Sequence, residues 1–197
     1  MKLYDISQEV FSSRVYPGDM GPSAERTLRI QDGDICNLTN LCMCTHNGTH
    51  VDAPLHFLDS GKGIETLDLY HCVGDAFVLT ASNLESLSLS RSTIRELLAR
   101  RSNNETRVLI KGNVVLSPEA AEELASTDIV LIGVEGLSVA SDECAQEVHS
   151  ILLKRGLIIL EGLDLHAVDE GAYFLSAAPL NLAGSDGSPC RAILISW

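Results

Sequence analysis

"CTHNGTHVDAPLHF", residues 44–57, places three of the chain's six histidines and one aspartate within eleven residues, His46 to His56. Gly48 and Pro54 bracket the cluster, and a proline inside a helix removes a backbone hydrogen bond, so no continuous helix runs through it. The preceding run "TNLCMCTH" reads as an extended strand entering His46. The histidines therefore stand on a strand followed by an irregular turn, unlike the helical H-E-x-x-H spacing of zinc proteases. Such a backbone can still bring them together. Gly48 permits a tight or left-handed turn, and Pro54 removes freedom beside it. Imidazole nitrogens and a carboxylate oxygen are the donors that Zn²⁺ or Mn²⁺ take, and this concentration of them favours metal binding over scattered surface histidines.

Outward from that stretch the chain changes character. Upstream, "LRIQDGD" and "NLTNLCMCTH" read as strands without an intervening helix, a β layer beside the α/β part of the chain. Downstream, "DAFVLTA" (75–81), "TRVLIKG" (106–112), "DIVLIGV" (128–134), "GLIILEGL" (156–163) and "RAILIS" (191–196) are short apolar runs bounded by glycine or polar residues, as strands are. Helical segments lie between them. "STIRELLARRS" is expected to start at Ser92 as N-cap, and "SPEAAEELAST" at Ser117 with Pro118 in the first helical position. A third, "SDECAQEVHSILLKRG", is expected to run from near Ser141 to Gly156, with Lys154 and Arg155 in its last turn. Strands alternating with about three main helices give an α/β fold with mixed sheets. A length of 197 residues suits one domain, 1–197, and would cramp two.

Composition excludes several classes. A net charge of −13 with a pI near 4.7 would repel nucleic acid and anionic membrane. No apolar run approaches the ~20 residues that span a bilayer, and the N-terminal residues lack the apolar core of a secretory signal. Six scattered cysteines without a C-x-x-C pair are expected to be free thiols in a reducing cytoplasm.

"HNGTHVDAPLHF" resembles the H-x-G-T-H-x-D-x-P-x-H motif of the cyclase-like metal-dependent hydrolases, which include bacterial kynurenine formamidases (arylformamidases) and isatin hydrolases. The resemblance extends over nearly the whole chain. "YPGD" (16–19) is similar to the family's P-G-D loop, "HSILLKRGLIILEGLDL" (149–165) to its H-x-x-L-L…I-x-x-E-x-L segment, and "PLNLAGSDGSPCRAIL" (179–194) to its closing element. It implies a swivelling β/β/α fold and metal ligands at His46, His50, Asp52, His149 and Glu161, holding one or two divalent ions. His56 falls where the family has its proton carrier, and Tyr16 where it lines the substrate pocket. Glu135 falls in a segment where relatives often carry an aspartate. His71 and His166 match no ligand position and are expected to be structural or surface residues. Dimers or larger homo-oligomers are implied as well.

The resulting expectation is hydrolysis of an amide-type C–N bond in a small molecule. A divalent ion would lower the pKa of a bound water towards ~7 and polarise the substrate carbonyl, while an imidazole off the metal serves as acid and base. Lactam or cyclic-imide hydrolysis or a cyclisation on the same centre is a second reading. A non-catalytic metal-binding protein is a third, disfavoured because metal storage has no need of His56.

Overall fold

The computed structural model describes residues 1–81, 88–103 and 105–197. Its strands are β1 (Lys2–Asp5), β2 (Ser23–Leu28), β3 (Leu38–Cys42), β4 (His50–Asp52), β5 (Val73–Thr80), β6 (Ser88–Leu89), β7 (Arg107–Lys111), β8 (Val115–Leu116), β9 (Leu131–Val134), β10 (Ile158–Glu161), β11 (Gly171–Ser176), β12 (Gly187–Pro189) and β13 (Ile193–Ser196). Its helices are α1 (Arg91–Leu98), α2 (Pro118–Ala125) and α3 (Ala145–Arg155). Nine strands form one mixed sheet in the order β1-β13-β11-β5-β7-β9-β10-β4-β12. The middle four, β5, β7, β9 and β10, are parallel, and the strands on both flanks are antiparallel. All five apolar runs downstream of the histidine cluster supply strands of this sheet.

The central strands are apolar on both faces because both faces are covered. Alternate residues of β5 divide the core. Phe77 and Leu79 pack with Val108, Ile110, Ile132 and Ile159 beneath the buried faces of α1, α2 and α3. Ala76 and Val78 join Leu109, Leu131, Ile158 and Leu160 on the other side, against Ile6, Val51 and Leu194. Each fully buried leucine or isoleucine there adds ~1.5–3 kcal/mol from apolar surface removed from water.

Helix α2 begins as expected, with the Ser117 hydroxyl accepting from Ala120 N at 3.2 Å. Helix α1 starts earlier than Ser92. Ser90 is the cap, accepting from Thr93 N at 3.3 Å. Helix α3 starts later than Ser141, at Ala145, because the Ser141 hydroxyl bonds Cys144 Sγ at 3.4 Å instead of capping backbone N–H groups. It stops where expected, at Gly156 with φ 82°, a conformation that only glycine adopts without cost.

The N-terminal part departs most from expectation. β1 and β4 belong to the main sheet, and only β2 and β3 stand apart, as an antiparallel two-stranded arm. Of "LRIQDGD" only Leu28 is in a strand, since Ile30–Asp32 form a 3₁₀ turn closed by Gly33 at φ 97°. β3 ends at Cys42, short of His46, because Asn47 folds the chain back: its side chain accepts from Cys44 N at 2.8 Å and its own N–H donates to Cys44 O at 3.1 Å. Most side chains of the arm are exposed, including the apolar Ile30, Ile35, Leu38 and Leu41.

Candidate metal centre

Strand β4 is only three residues long, but its pleat sets the site. His50 and Asp52 are two apart and point to one face, while Val51 points into the opposite core. β10 runs antiparallel beside it with Glu161 directly opposite His50. Helix α3 packs across that face and brings His149 to the same place. All four side chains are buried.

The loops after β10 and before β4 are clamped together. Thr49 Oγ1 donates to Gly162 O at 2.5 Å. Gly162 has φ 68°, and a Cβ there would lie 2.4 Å from Gly48 O, so both its backbone and its space require glycine.

The donors converge. His50 Nε2 lies 3.3 Å from Glu161 Oε2 and 3.5 Å from Asp52 Oδ1. His149 Nε2 lies 3.3 Å from Glu161 Oε1 and 3.7 Å from Asp52 Oδ2. His46 Nδ1 stands 3.1 Å from Asp52 Oδ1. Partners behind the rings fix which nitrogen faces inward. His50 Nδ1 donates to Gly48 O at 3.0 Å and His149 Nδ1 to Ala145 O at 2.7 Å, leaving each Nε2 lone pair for the centre. Glu161 Oε1 is aimed by Val139 N at 2.7 Å.

Charge balance is unusual. Burial opposes ionisation of His46, but Asp52 and Asp186 outweigh it and push its pKa up to about 9. His50 and His149 are raised in the same way, burial being overcome chiefly by Glu161. Burial would raise Glu161, yet the hydrogen bonds of His149 and His50 bring it down to about 2. Asp52 Oδ2 is buried with no hydrogen-bond partner, a costly state for a carboxylate oxygen unless a cation relieves it. Among the described residues three donor groups could hold an ion: His46–His50–Asp52 and Asp52–His149–Glu161, which share Asp52, and His46–His56–Asp186.

His56 lies at the end of the 3₁₀ turn Pro54–His56, outside the two groups that contain Asp52 and within the third. Its ring stacks on His46, centroids 4.0 Å apart, and Nδ1 is 3.5 Å from Asp186 Oδ2. Burial lowers its pKa, which leaves it the neutral imidazole of the cluster near pH 7. A cavity of about 300 Å³ opens onto the centre, lined by Tyr16, Asp19, Cys44, His46, His50, His56, Phe57, Leu137, Ser138, Ala145, His149, Glu161 and Asp186. Tyr16 stands on its wall with the hydroxyl donating to Asp142 Oδ1 at 2.5 Å.

Sequence reasoning missed Phe57, whose ring stacks on His149 at 4.2 Å between centroids, and Asp186. The latter was discernible as the one carboxylate in the glycine-rich "GSDGSP" turn. Glu135 proves to be a backbone brace, accepting from Gly112 N at 2.7 Å and Leu165 N at 2.9 Å. His166 is exposed and His71 half-buried, both away from the cavity.

The geometry agrees with the similarity to other proteins. The cyclase family model matches residues 4–141, and similarity to individual proteins continues through His149 and Glu161. A kynurenine formamidase from Erythrobacter litoralis is 33% identical over 201 residues, covering 98% of this chain and 93% of that protein. A solved structure described as a potential metal-dependent hydrolase with cyclase activity matches at TM-score 0.83 and 29% identity, covering 98% of this chain and 96% of the other. The fold also matches isatin hydrolase A from Labrenzia aggregata, at TM-score 0.84 and 20% identity over 100% of this chain and 94% of that one. With the family model spanning most of its length and a relative aligned almost end to end, this chain belongs to the cyclase family.

Proposed function

We propose that the protein is a metal-dependent hydrolase of an amide-type C–N bond, with arylformamidase-like activity. The observation that carries this reading is the buried pair Asp52 and Glu161, surrounded by three imidazoles and with Asp52 Oδ2 making no hydrogen bond. His46, His50 and Asp52 would hold one ion, and Asp52, His149 and Glu161 a second, with Zn²⁺ or Mn²⁺ suited to this nitrogen and oxygen set. When bound, a divalent ion supplies Lewis acidity, acidifying a water and polarising a carbonyl.

The chain's own residues do the rest. Tyr16 and Phe57 give the cavity two aromatic walls, matched to a flat aromatic substrate. Its volume of about 300 Å³ admits a small molecule and no polymer. His56, neutral near pH 7, takes a proton from the attacking water and returns it to the leaving nitrogen. The identity to a kynurenine formamidase supports an aryl formamide as substrate. Lactam or cyclic-imide opening on the same groups is the second reading, favoured by the fold shared with an isatin hydrolase.

The chain is read as one domain, since strands from both ends lie side by side in the main sheet. The exposed apolar residues of the β2–β3 arm support a homodimer or larger homo-oligomer, and the charge and cysteine content support a cytoplasmic protein. Elemental analysis of the purified protein, coupled to turnover of N-formylkynurenine, isatin and simple lactams, tests the whole reading. At least one Zn²⁺ or Mn²⁺ per chain with formamide turnover is expected. A metal-loaded protein inactive on every amide would overturn it.

A further inference from the structure

We propose that Asp186 is a positioning residue that holds His46 and His56 together through a single carboxylate oxygen, presenting one as a metal ligand and the other as acid and base. The inference rests on the function just proposed. Asp186 Oδ1 accepts from Thr45 Oγ1 at 3.0 Å, and this turns Oδ2 towards two imidazoles. It lies 3.3 Å from His46 Nε2 and 3.5 Å from His56 Nδ1.

The backbone gives this carboxylate little room to drift. Asp186 O accepts from Ala53 N at 2.9 Å, and Gly187 pairs with Asp52 across β4 and β12. A Cβ on Gly187 would lie 2.6 Å from His46 Cε1, so the ring rests directly on the glycine backbone. His46 and His56 stack at 25° between ring planes. His46 thus packs between the Gly187 backbone and the His56 ring, and both rings stand beside Asp186 Oδ2.

Tautomers follow from the same contacts. With an ion beside Asp52, His46 Nδ1 would give it the lone pair and carry its proton on Nε2, which is buried, makes no hydrogen bond and lies 3.3 Å from Asp186 Oδ2. Asp186 is the acceptor placed for that proton. For His56 the carboxylate favours hydrogen on Nδ1, which leaves the Nε2 lone pair to take a proton from the attacking water. An outer carboxylate of this kind commonly accounts for 10–100-fold in metal affinity or activity. Asp186 is itself 44% exposed, so its removal leaves the core intact.

The experiment uses Asp186→Asn, His56→Asn and the double variant, assayed on N-formylkynurenine with metal content measured on each. Asp186→Asn is expected to lower kcat by about 10–100-fold with little change in KM and with the wild-type number of ions. In the His56→Asn background it should cost less than about threefold more, because the two act as one unit. Thr45→Val should lower kcat in the same direction by less. Three results would overturn the inference: unchanged kcat in Asp186→Asn beside a crippled His56→Asn, full additivity in the double variant, or loss of an ion from Asp186→Asn. The last would make Asp186 a ligand with His46 and His56. Wild-type kcat in His56→Asn would instead sink the acid/base reading, and the inference with it.

Discussion

His50 and Glu161 face each other across the antiparallel pair of β4 and β10, with His50 Nε2 3.3 Å from Glu161 Oε2. A one-residue slip in that register would put Val51 in the centre and His50 in the apolar core. The centre therefore depends on the sheet being formed, and the sheet edge in turn encloses two carboxylates that need compensating charge.

Glu161→Gln is expected to retain the shape of the site while removing the charge nearest both His50 and His149. The amide oxygen can still accept from Val139 N, so the loop should hold. Metal content should fall by at least one ion per chain, and the His46→Ala/His50→Ala double variant should empty the first group as well. Elemental analysis after gel filtration reads both. Full occupancy in the double variant would refute the ligand assignment.

The metal-free protein should show a particular pH response. His46, His50 and His149 titrate higher in the fold than their ordinary 6.5, His46 at about 9. Their stabilising contribution is fully present below pH 6.5 and is lost as pH rises towards 9. Glu161 is depressed from 4.5 to about 2, so its contribution is present above 4.5 and is lost as pH falls towards 2. Chelated protein should thus be most stable between about pH 4.5 and 6.5. A metal ion replaces those protons, so loaded protein should keep its Tm between pH 6.5 and 9. Equal Tm profiles with and without chelator would contradict this.

Gly162 supplies a test of the clamp between the two loops. Alanine there combines a left-handed backbone with a Cβ 2.4 Å from Gly48 O. Backbone strain of this type costs about 1–3 kcal/mol before any clash is counted, or roughly 2–12 °C in Tm for a chain of this size. Because Gly48 and Gly162 flank His50 and Glu161, metal affinity should drop together with Tm. A Gly162→Ala protein with wild-type Tm and metal content would show that the loops need no close approach.

Much of the fold and part of the centre are legible in the sequence, and the reasons differ from place to place. The four central parallel strands announce themselves because burial on both faces demands uninterrupted apolar runs. Gly156 ends α3 where the sequence places its end, since a left-handed cap has few substitutes. The starts of α1 and α3 are misplaced because several serines compete to cap, and only tertiary contacts, such as Ser141 with Cys144 Sγ, decide among them. The arm is misread because Leu28 to Asp34 carries strand-like residues in a turn whose geometry Gly33 and Asp34 impose. Within the site, His46 to Asp52 can be read locally. That His149 and Glu161 join them comes from resemblance, not from spacing, because twelve residues across a helix and a strand fix no distance alone. Asp186 escapes because its partners, His46 and His56, are 140 and 130 residues away in sequence and only the β4–β12 pairing joins them.

A variant at His56 tests whether chemistry and metal binding can be separated. It belongs to neither donor group that contains Asp52, but its ring lies 4.0 Å from that of His46 and lines the cavity. In the proposed role, proton transfer to and from it belongs to the transition state and not to the ground-state complex, so its loss should reduce turnover more than binding. General acid/base groups typically contribute ~10²–10⁴-fold, or ~3–5 kcal/mol of barrier. Asparagine keeps polarity and about the reach of Nδ1 towards Asp186, while removing the nitrogen that carries the proton. His56→Asn is therefore expected to hold its metal and its Tm and to lose at least ~10²-fold in kcat on the formamide. A purely structural His56, stacked on His46 to brace the turn after Pro54, predicts the opposite: a lowered Tm with activity nearly intact. Metal content, Tm and kcat measured on this one variant distinguish the two, and near-wild-type kcat would leave the centre without its base.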